Sequence, residues 1–214
     1  HRLRLPRFVG HIESPVLCVG ARLGAEVKAF RAAVPGLLSV GTDYNPGNRN
    51  PYVMWGDAHS LQFSPNSLAV LYTNVLDHIR NTSTFAREAH RVLRPNGTLW
   101  VEMDQNKPDN YAIHDLQKER LNIVQQLEAR RGGAPTLFTV TSETLLARSS
   151  CSEEALKHDD RLRQGFSSSH GFWHFGGVAP HGRAECVPNW REKDVPKFVY
   201  LLRRVPPHPH PHTP

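Results

Sequence analysis

Only three cysteines occur in the 214 residues. Cys18, Cys151 and Cys186 are odd in number and far apart, which leaves no disulfide framework or thiolate metal cluster and favours a reducing compartment. Long apolar runs are missing too: none approaches the about 18 to 20 residues that a membrane-spanning helix needs. Pro6, Arg7, His11 and Glu13 interrupt the start, unlike a secretory leader. With histidine in first place that observation weighs little, and an intracellular setting, cytoplasm or organelle, is the expectation. The glycosylation-type triplets Asn81-Thr82-Ser83 and Asn96-Gly97-Thr98 carry little weight without such a leader. No Cys-x-x-Cys, His-Glu-x-x-His or Gly-Lys-Ser/Thr pattern appears, so metal hydrolysis and nucleoside triphosphate chemistry lack support. There are no internal repeats.

What is present is 39% hydrophobic and 21% charged residues, with a formal net charge of +6. That length and balance suit one domain over 1–205 with a core of its own. Residues 206–214 (PPHPHPHTP) are too rich in proline for helix or ladder and read as an extended, flexible tail. Its alternating histidines give a metal only an adventitious grip. The positive charge is scattered, with no basic stripe interleaved with aromatics, so nucleic acid is a weakly supported partner. A small-molecule acceptor or a protein partner is the stronger expectation.

Apolar runs alternate with helical stretches through the first half, which predicts a parallel sheet built from βαβ units. Pro15 to Gly20 reads as a buried strand, followed by a helix over Ala25 to Val34 with Val27, Phe30 and Val34 on one face. Leu37 to Thr42 reads as a second strand, closing at Asp43, and Asn45 to Pro51 as a loop. Tyr52 to Trp55 and Leu68 to Tyr72 are further strands. Thr82 to Leu93 is a helix, Pro95-Asn96-Gly97 a turn and Thr98 to Met103 a strand. Asn110 to Arg131 reads as an amphipathic helix carrying Ile113, Leu116, Val124 and Leu127. Residues 134 to 170 are ambiguous, with a polar helix expected near Ser152 to Gln164. Lys197 to Arg203 is a strand, with Gly171 to Val178 as its expected partner.

In an open α/β sheet a nucleoside ligand binds outside the carboxyl ends of the strands. Three places suit that geometry. The turn Gly20-Ala21-Arg22-Leu23-Gly24 lets backbone approach a ligand closely, or is simply a tight strand-to-helix turn. Asp43, with Tyr44 beside it, lies about twenty residues further on, where a carboxylate accepts both ribose hydroxyls; its alternative role is to cap a turn with Asn45. Gly56-Asp57-Ala58 follows the third strand, where Asp57 accepts from an adenine amino group and Ala58 leaves room for the ring, or Asp57 again serves a turn. Three such places at successive strand ends are more specific than any one.

These segments resemble the class I S-adenosylmethionine-dependent methyltransferases of the small-molecule, type 11-like kind. Gly56 to Ile79 (GDAHSLQFSPNSLAVLYTNVLDHI) is similar to their stretch from the adenine-binding acid past the fourth strand. Phe85 to Met103 (FAREAHRVLRPNGTLWVEM) is similar to the next helix, turn and fifth strand, with RVLRPNG the most specific word. The resemblance covers about residues 14–104 and leaves 106–177 as an acceptor-side segment. It implies an α/β, Rossmann-like, mostly parallel seven-stranded sheet with helices on both faces and an antiparallel last strand. It further implies methyl transfer from S-adenosylmethionine, with Gly20, Ala21, Gly24, Asp43, Tyr44, Asp57, Ala58 and Asn74 at the cofactor.

The glycine loop departs from the family pattern. Cys18 stands where an acid is usual and Arg22 where a glycine is, while Ala69 replaces an aspartate that often opens the fourth strand. Methyl transfer is an in-line displacement that needs alignment more than acid–base help. Asn74, Asp77, His78, Asp104 and His114 lie toward the expected methyl position, with His78 and His114 as weak candidate bases, since a histidine opening a helix is more commonly a cap or a packed side chain. No Asp/Asn-Pro-Pro-aromatic word follows the fourth strand, which disfavours base methylation. One rival reading is a catalytically inactive methyltransferase-like domain serving as a binding or scaffold subunit. A nicotinamide dehydrogenase is weaker still, because Gly-x-Gly-x-x-Gly spacing is not met.

Overall fold

The first apolar run becomes strand β1, Val16–Val19, with all four residues buried. A strand covered on both faces needs an uninterrupted apolar run: Val16 and Cys18 join one core cluster and Leu17 and Val19 the other. The computed structural model describes residues 13–104, 108–128, 136–146 and 197–206. The further strands are β2 (Ser39–Asp43), β3 (Val53–Trp55), β4 (Leu68–Thr73), β5 (Leu93–Asp104), β6 (Phe138–Leu146) and β7 (Lys197–Arg204). They form one seven-stranded sheet in the order β3-β2-β1-β4-β5-β7-β6. β1 to β5 are mutually parallel, and β7 runs antiparallel to both β5 and β6. The sheet expected from the sequence, with its last strand reversed, is therefore present. Its order reverses between β1 and β4, where connections depart to opposite sides and open a crevice at the strand tips.

Helix α1 (Ala25–Ala33) buries Val27 and Phe30, and Phe30 belongs to the cluster that includes Tyr72 and Trp100. Helices α2 (Thr82–Val92) and α3 (Leu116–Glu128) cover the other face, where Phe85, Ala89, Ile123 and Leu127 meet Leu99, Val101 and Met103. Asn81 caps α2, its side chain accepting from the Thr84 N–H at 2.9 Å, an arrangement worth about 1 kcal/mol.

Several boundaries differ from the sequence reading. The helix expected over Asn110 to Arg131 begins only at Leu116; Ile113 lies outside it and is 49% exposed. The cause is a turn at Asp109, whose Oδ1 accepts from the N–H groups of Tyr111 and Ala112. The turn expected at Pro95-Asn96-Gly97 does not precede the strand but interrupts its ladder: Leu93 already pairs with Leu68, and regular pairing resumes at Thr98 with Val70. β2 starts at Ser39 rather than Leu37, with Leu38 exposed. The ambiguous stretch after residue 134 contains β6. The expected strand at Gly171 to Val178, the helix near Ser152 to Gln164 and tail residues 207–214 lie outside the described residues; both ladder edges of β7 are taken by β5 and β6. No described helix is long and apolar enough to cross a membrane.

Candidate active site

The tip of β2 is the hub of the strand-end region. The Thr42 carbonyl accepts from the N–H groups of Gly20 (2.8 Å) and Ala21 (3.2 Å), while the Asp43 carbonyl accepts from Gly56 N–H (3.0 Å). The loops leaving β1 and β3 are thereby drawn together over β2. Gly20 has φ +78°, and a Cβ there would lie 2.3 Å from a methyl of Val75, so only glycine lets the first loop sit flush against the end of β4.

Both carboxylate oxygens of Asp43 are engaged. Oδ2 accepts from Arg22 N–H at 2.9 Å and Oδ1 from Asn45 N–H at 2.7 Å. The turn-capping role anticipated for Asp43 is thus present, and it also ties the glycine loop to β2. Each oxygen retains a second acceptor direction. Arg22 adopts φ +40° and exposes its side chain to solvent. The loop therefore has a left-handed conformation at the position where the resemblance leads one to expect glycine, and arginine holds it at a cost of about 1–2 kcal/mol. Arg22→Gly is expected to raise stability by about 0.5–1 kcal/mol after the added freedom of the unfolded chain is subtracted. A thermal melt checks this; a fall in melting temperature would show that the arginine side chain contributes more than its backbone costs. Cys18 is fully buried among the residues packed under α1, and burial pushes its thiol pKa well up, so it offers no acceptor for a ligand.

Asp57 lies two residues beyond Trp55, the residue paired with Asp43. Its Oδ1 accepts from the His59 N–H at 2.8 Å and faces His59 Nδ1 at 2.8 Å. The influence of that carboxylate on the Tyr44 hydroxyl pushes the phenol pKa up. Burial pushes the Asp57 carboxyl up, but the bonds from His59 and Tyr44 outweigh it and hold the group below its ordinary range. The pairing of Asp43 with Trp55 and the Gly56 N–H bond to the Asp43 carbonyl bring the segments that carry the two acids together. Tyr44 and Trp55 are 62% and 55% exposed, and their rings meet edge to face at 6.4 Å. Ala58 is partly buried and packs against the core on the α2 side.

His59 was not anticipated. Its Nε2 accepts from Asn81 N–H at 3.1 Å, so Nδ1 carries the proton and donates it to Asp57, linking that acid to the start of α2. A second strut is Glu88, which accepts from Leu61 N–H and is gripped by Arg91, whose guanidinium also reaches the Phe63 and Leu61 carbonyls. The Arg91 bond, ahead of the opposing effect of burial, lowers the Glu88 pKa. Neither strut has a sequence signature beyond His59 standing two places after Asp57.

Beyond Asn74 a cavity of about 290 Å³ opens at the tips of β4 and β5, lined by Asn74, Asp77, His78, Asp104, Asp109 and His114, with Pro108 and Leu116 as apolar wall. All five residues expected toward the methyl position are gathered here; Asp109 was not foreseen. The Asp77 carbonyl accepts from Ile113 N–H (2.7 Å) and His114 N–H (3.1 Å), which pins the 108–115 loop across the opening. Burial pushes the Asp77 carboxyl pKa up, with His78 opposing and Asp109 adding to the rise. His78 Nε2 lies 3.5 Å from Asp77 Oδ2. Both ring nitrogens of His114 are occupied, Nε2 against the Ile79 carbonyl (3.0 Å) and Nδ1 against Glu119 (3.2 Å), the posture of a brace between loop and helix.

No curated protein matches the chain. Residues 17–101 match a family described as a methyltransferase domain. The fold is similar to the crystal structure of MccD protein (TM-score 0.55, 16% identity, covering 92% of this chain and 95% of that one). It is similar also to an S-adenosylmethionine-dependent methyltransferase from Mesorhizobium loti (TM-score 0.51, 10% identity, 92% and 96%). A third likeness is to a chain of a structure described as the complex between the Haloferax volcanii Trm112 methyltransferase activator and the putative methyltransferase (TM-score 0.52, 13% identity, 94% and 88%). Residues 17–101 thus match a methyltransferase-domain family, and the sheet built around them has the fold of solved S-adenosylmethionine-dependent methyltransferases.

Proposed function

We propose that this chain transfers the methyl group of S-adenosylmethionine to an acceptor seated in the cavity beyond Asn74. The observation that carries the reading is the order of groups along the strand tips: Asp57 beyond β3, Asp43 at β2, the glycine loop after β1 and the cavity at β4 and β5 follow the strand order, as the adenine, ribose and methionine parts of such a cofactor and then its acceptor require. Gly20, Ala21 and Gly24 form the backbone cradle, and a side chain at Gly20 would close it. Asp43 keeps acceptor directions for ribose hydroxyls. Asp57 and Ala58 serve the adenine end, where the exposed rings of Tyr44 and Trp55 offer apolar faces. Asn74 stands between cradle and cavity.

When bound, the cofactor supplies an electrophilic methyl carbon on a sulfonium. The protein's work is then to align the acceptor, to exclude water and to receive a proton where the acceptor has one to lose. His78 suits the last task better than His114, because its Nε2 faces only the Asp77 carboxylate at 3.5 Å, whereas both His114 nitrogens are tied.

Calorimetric titration of the purified protein with S-adenosylmethionine and S-adenosylhomocysteine tests the reading. Saturable binding of both, with a thermal shift growing with ligand concentration, is the expected result. Absence of heat and of any shift at about millimolar ligand leaves the inactive scaffold, which the changes at Cys18 and Arg22 favour, as the function.

A further inference from the structure

We propose that the acceptor is an amine arriving as a cation, either a free alkylamine or the ammonium group of a lysine side chain. This rests on the methyltransferase reading and adds the acceptor class to it. The chain is basic, with a formal net charge of +6, yet its cavity beyond Asn74 gathers three carboxylates, Asp77, Asp104 and Asp109, beside two histidines. Among the described lining residues there is no lysine or arginine. Asp77 and Asp109 lie near enough for the charge of one to oppose ionisation of the other, and a cation between them removes that opposition. Among the described residues no group of histidine, cysteine and carboxylate side chains is arranged to hold a metal ion, so the complementary charge belongs to an organic group.

The alternatives match the lining less well. A carboxylate acceptor meets like charge on three sides, and a neutral alcohol gains little from acids that attract cations. At about 290 Å³ the cavity stands at the small end of the roughly 300–1,000 Å³ usual for small-molecule sites, enough for a short alkylamine or the end of a lysine. The ammonium gives one proton to the Asp77–His78 pair and regains a nitrogen lone pair. That lone pair forms the nitrogen–carbon bond as the carbon–sulfur bond breaks, its electron pair remaining on sulfur. The positive charge moves from sulfonium to the methylated ammonium, and the released proton passes to solvent.

The test titrates the protein saturated with S-adenosylhomocysteine. One arm compares n-butylamine with butanol and butyrate; the other compares a Gly-Lys-Gly amide with its Gly-Gln-Gly counterpart. Asp77→Asn and Asp109→Asn are measured alongside, and asparagine at 109 keeps the oxygen that accepts from Tyr111 and Ala112. The expected result is binding of a cationic probe at least about tenfold tighter than its neutral counterpart, with each substitution weakening it about tenfold. The arm that shows the difference names the source. Equal binding of butanol or butyrate, cation affinity indifferent to both substitutions, or no cation binding at about 10 mM while S-adenosylhomocysteine still binds would overturn the amine assignment alone. Failure to bind S-adenosylhomocysteine overturns the methyltransferase reading and this proposal with it.

Discussion

Replacing Asp43 by alanine is expected to weaken S-adenosylhomocysteine binding about 100-fold, with a smaller loss of stability. The carboxylate already accepts from Arg22 N–H and Asn45 N–H, so its removal frees both loops at once. Those bonds are exposed, and water replaces their acceptors; the stability cost is therefore near 1 kcal/mol. Ligand binding loses more. On the proposed reading, two charge-assisted bonds to ribose hydroxyls contribute about 1.5–3 kcal/mol each, and even part of that sum is two decades of affinity. Asp43→Asn is a sharper variant. It preserves size, but sets an amide N–H₂ against the Arg22 or the Asn45 N–H, so affinity should fall nearly as far as with alanine. Calorimetry gives the affinities and a thermal melt the stability. If the melting temperature drops while affinity stays within about threefold, Asp43 is a turn cap and nothing more.

The parallel half of the fold was legible because its strands are buried on both faces. Val16–Val19 and Leu68–Thr73 are apolar runs closed by turn formers, and every residue in them is buried. The helix expected over Thr82 to Leu93 forms over Thr82–Val92, with Phe85, Ala89 and Val92 buried at helical spacing. Where the reading slipped, a local hydrogen bond or a tertiary pairing overrode periodicity. Ile113 has the right spacing for the helix that follows, yet the Asp109 turn and the two bonds to the Asp77 carbonyl hold its segment outside. Pro95-Asn96-Gly97 has turn chemistry, but Leu93 is claimed by the sheet before the turn begins. Strand β6 carries polar residues at alternate places and a register shift near Val140, which blurred the signal.

Of the candidate site, the acids at the strand tips were legible in the sequence and the groups that hold them were not. Asp43 and Asp57 were singled out by position relative to strand ends, and the register Asp43 to Trp55 brings their loops together. The groups that orient them, Tyr44 toward Asp57, His59 toward Asn81 and Glu88 toward Leu61, depend on contacts between segments distant in sequence, which spacing cannot reveal. Arg22 illustrates the reverse. Its identity departs from the glycine that the resemblance leads one to expect, yet its φ of +40° lies in the left-handed region that glycine adopts most easily.

Phe30→Ala is expected to destabilise the protein by about 3–5 kcal/mol, the largest stability change predicted for a single substitution here. Phe30 is fully buried in α1 and meets Tyr72 and Trp100 edge to face, at 5.5 Å and 5.8 Å between ring centroids. Tyr72 and Trp100 meet each other in the same way at 5.8 Å, so one ring bridges α1 to both β4 and β5. Alanine removes the transferred apolar surface and two aromatic contacts worth about 0.5–1.5 kcal/mol each, and leaves a cavity that β-strands cannot collapse to fill. Against a total stability of about 5–15 kcal/mol, the melting temperature should fall by roughly 10 °C, with the near-ultraviolet signal of the aromatic cluster changed below the transition. Phe30→Leu keeps most of the volume and should lose less than half as much. The glycine loop begins α1 but is held by Thr42 and Asp43, so the folded Phe30→Ala protein should bind S-adenosylhomocysteine within a few-fold of the unaltered chain. A melt unchanged within about 2 °C would mean that α1 is fastened to the sheet by something other than this ring.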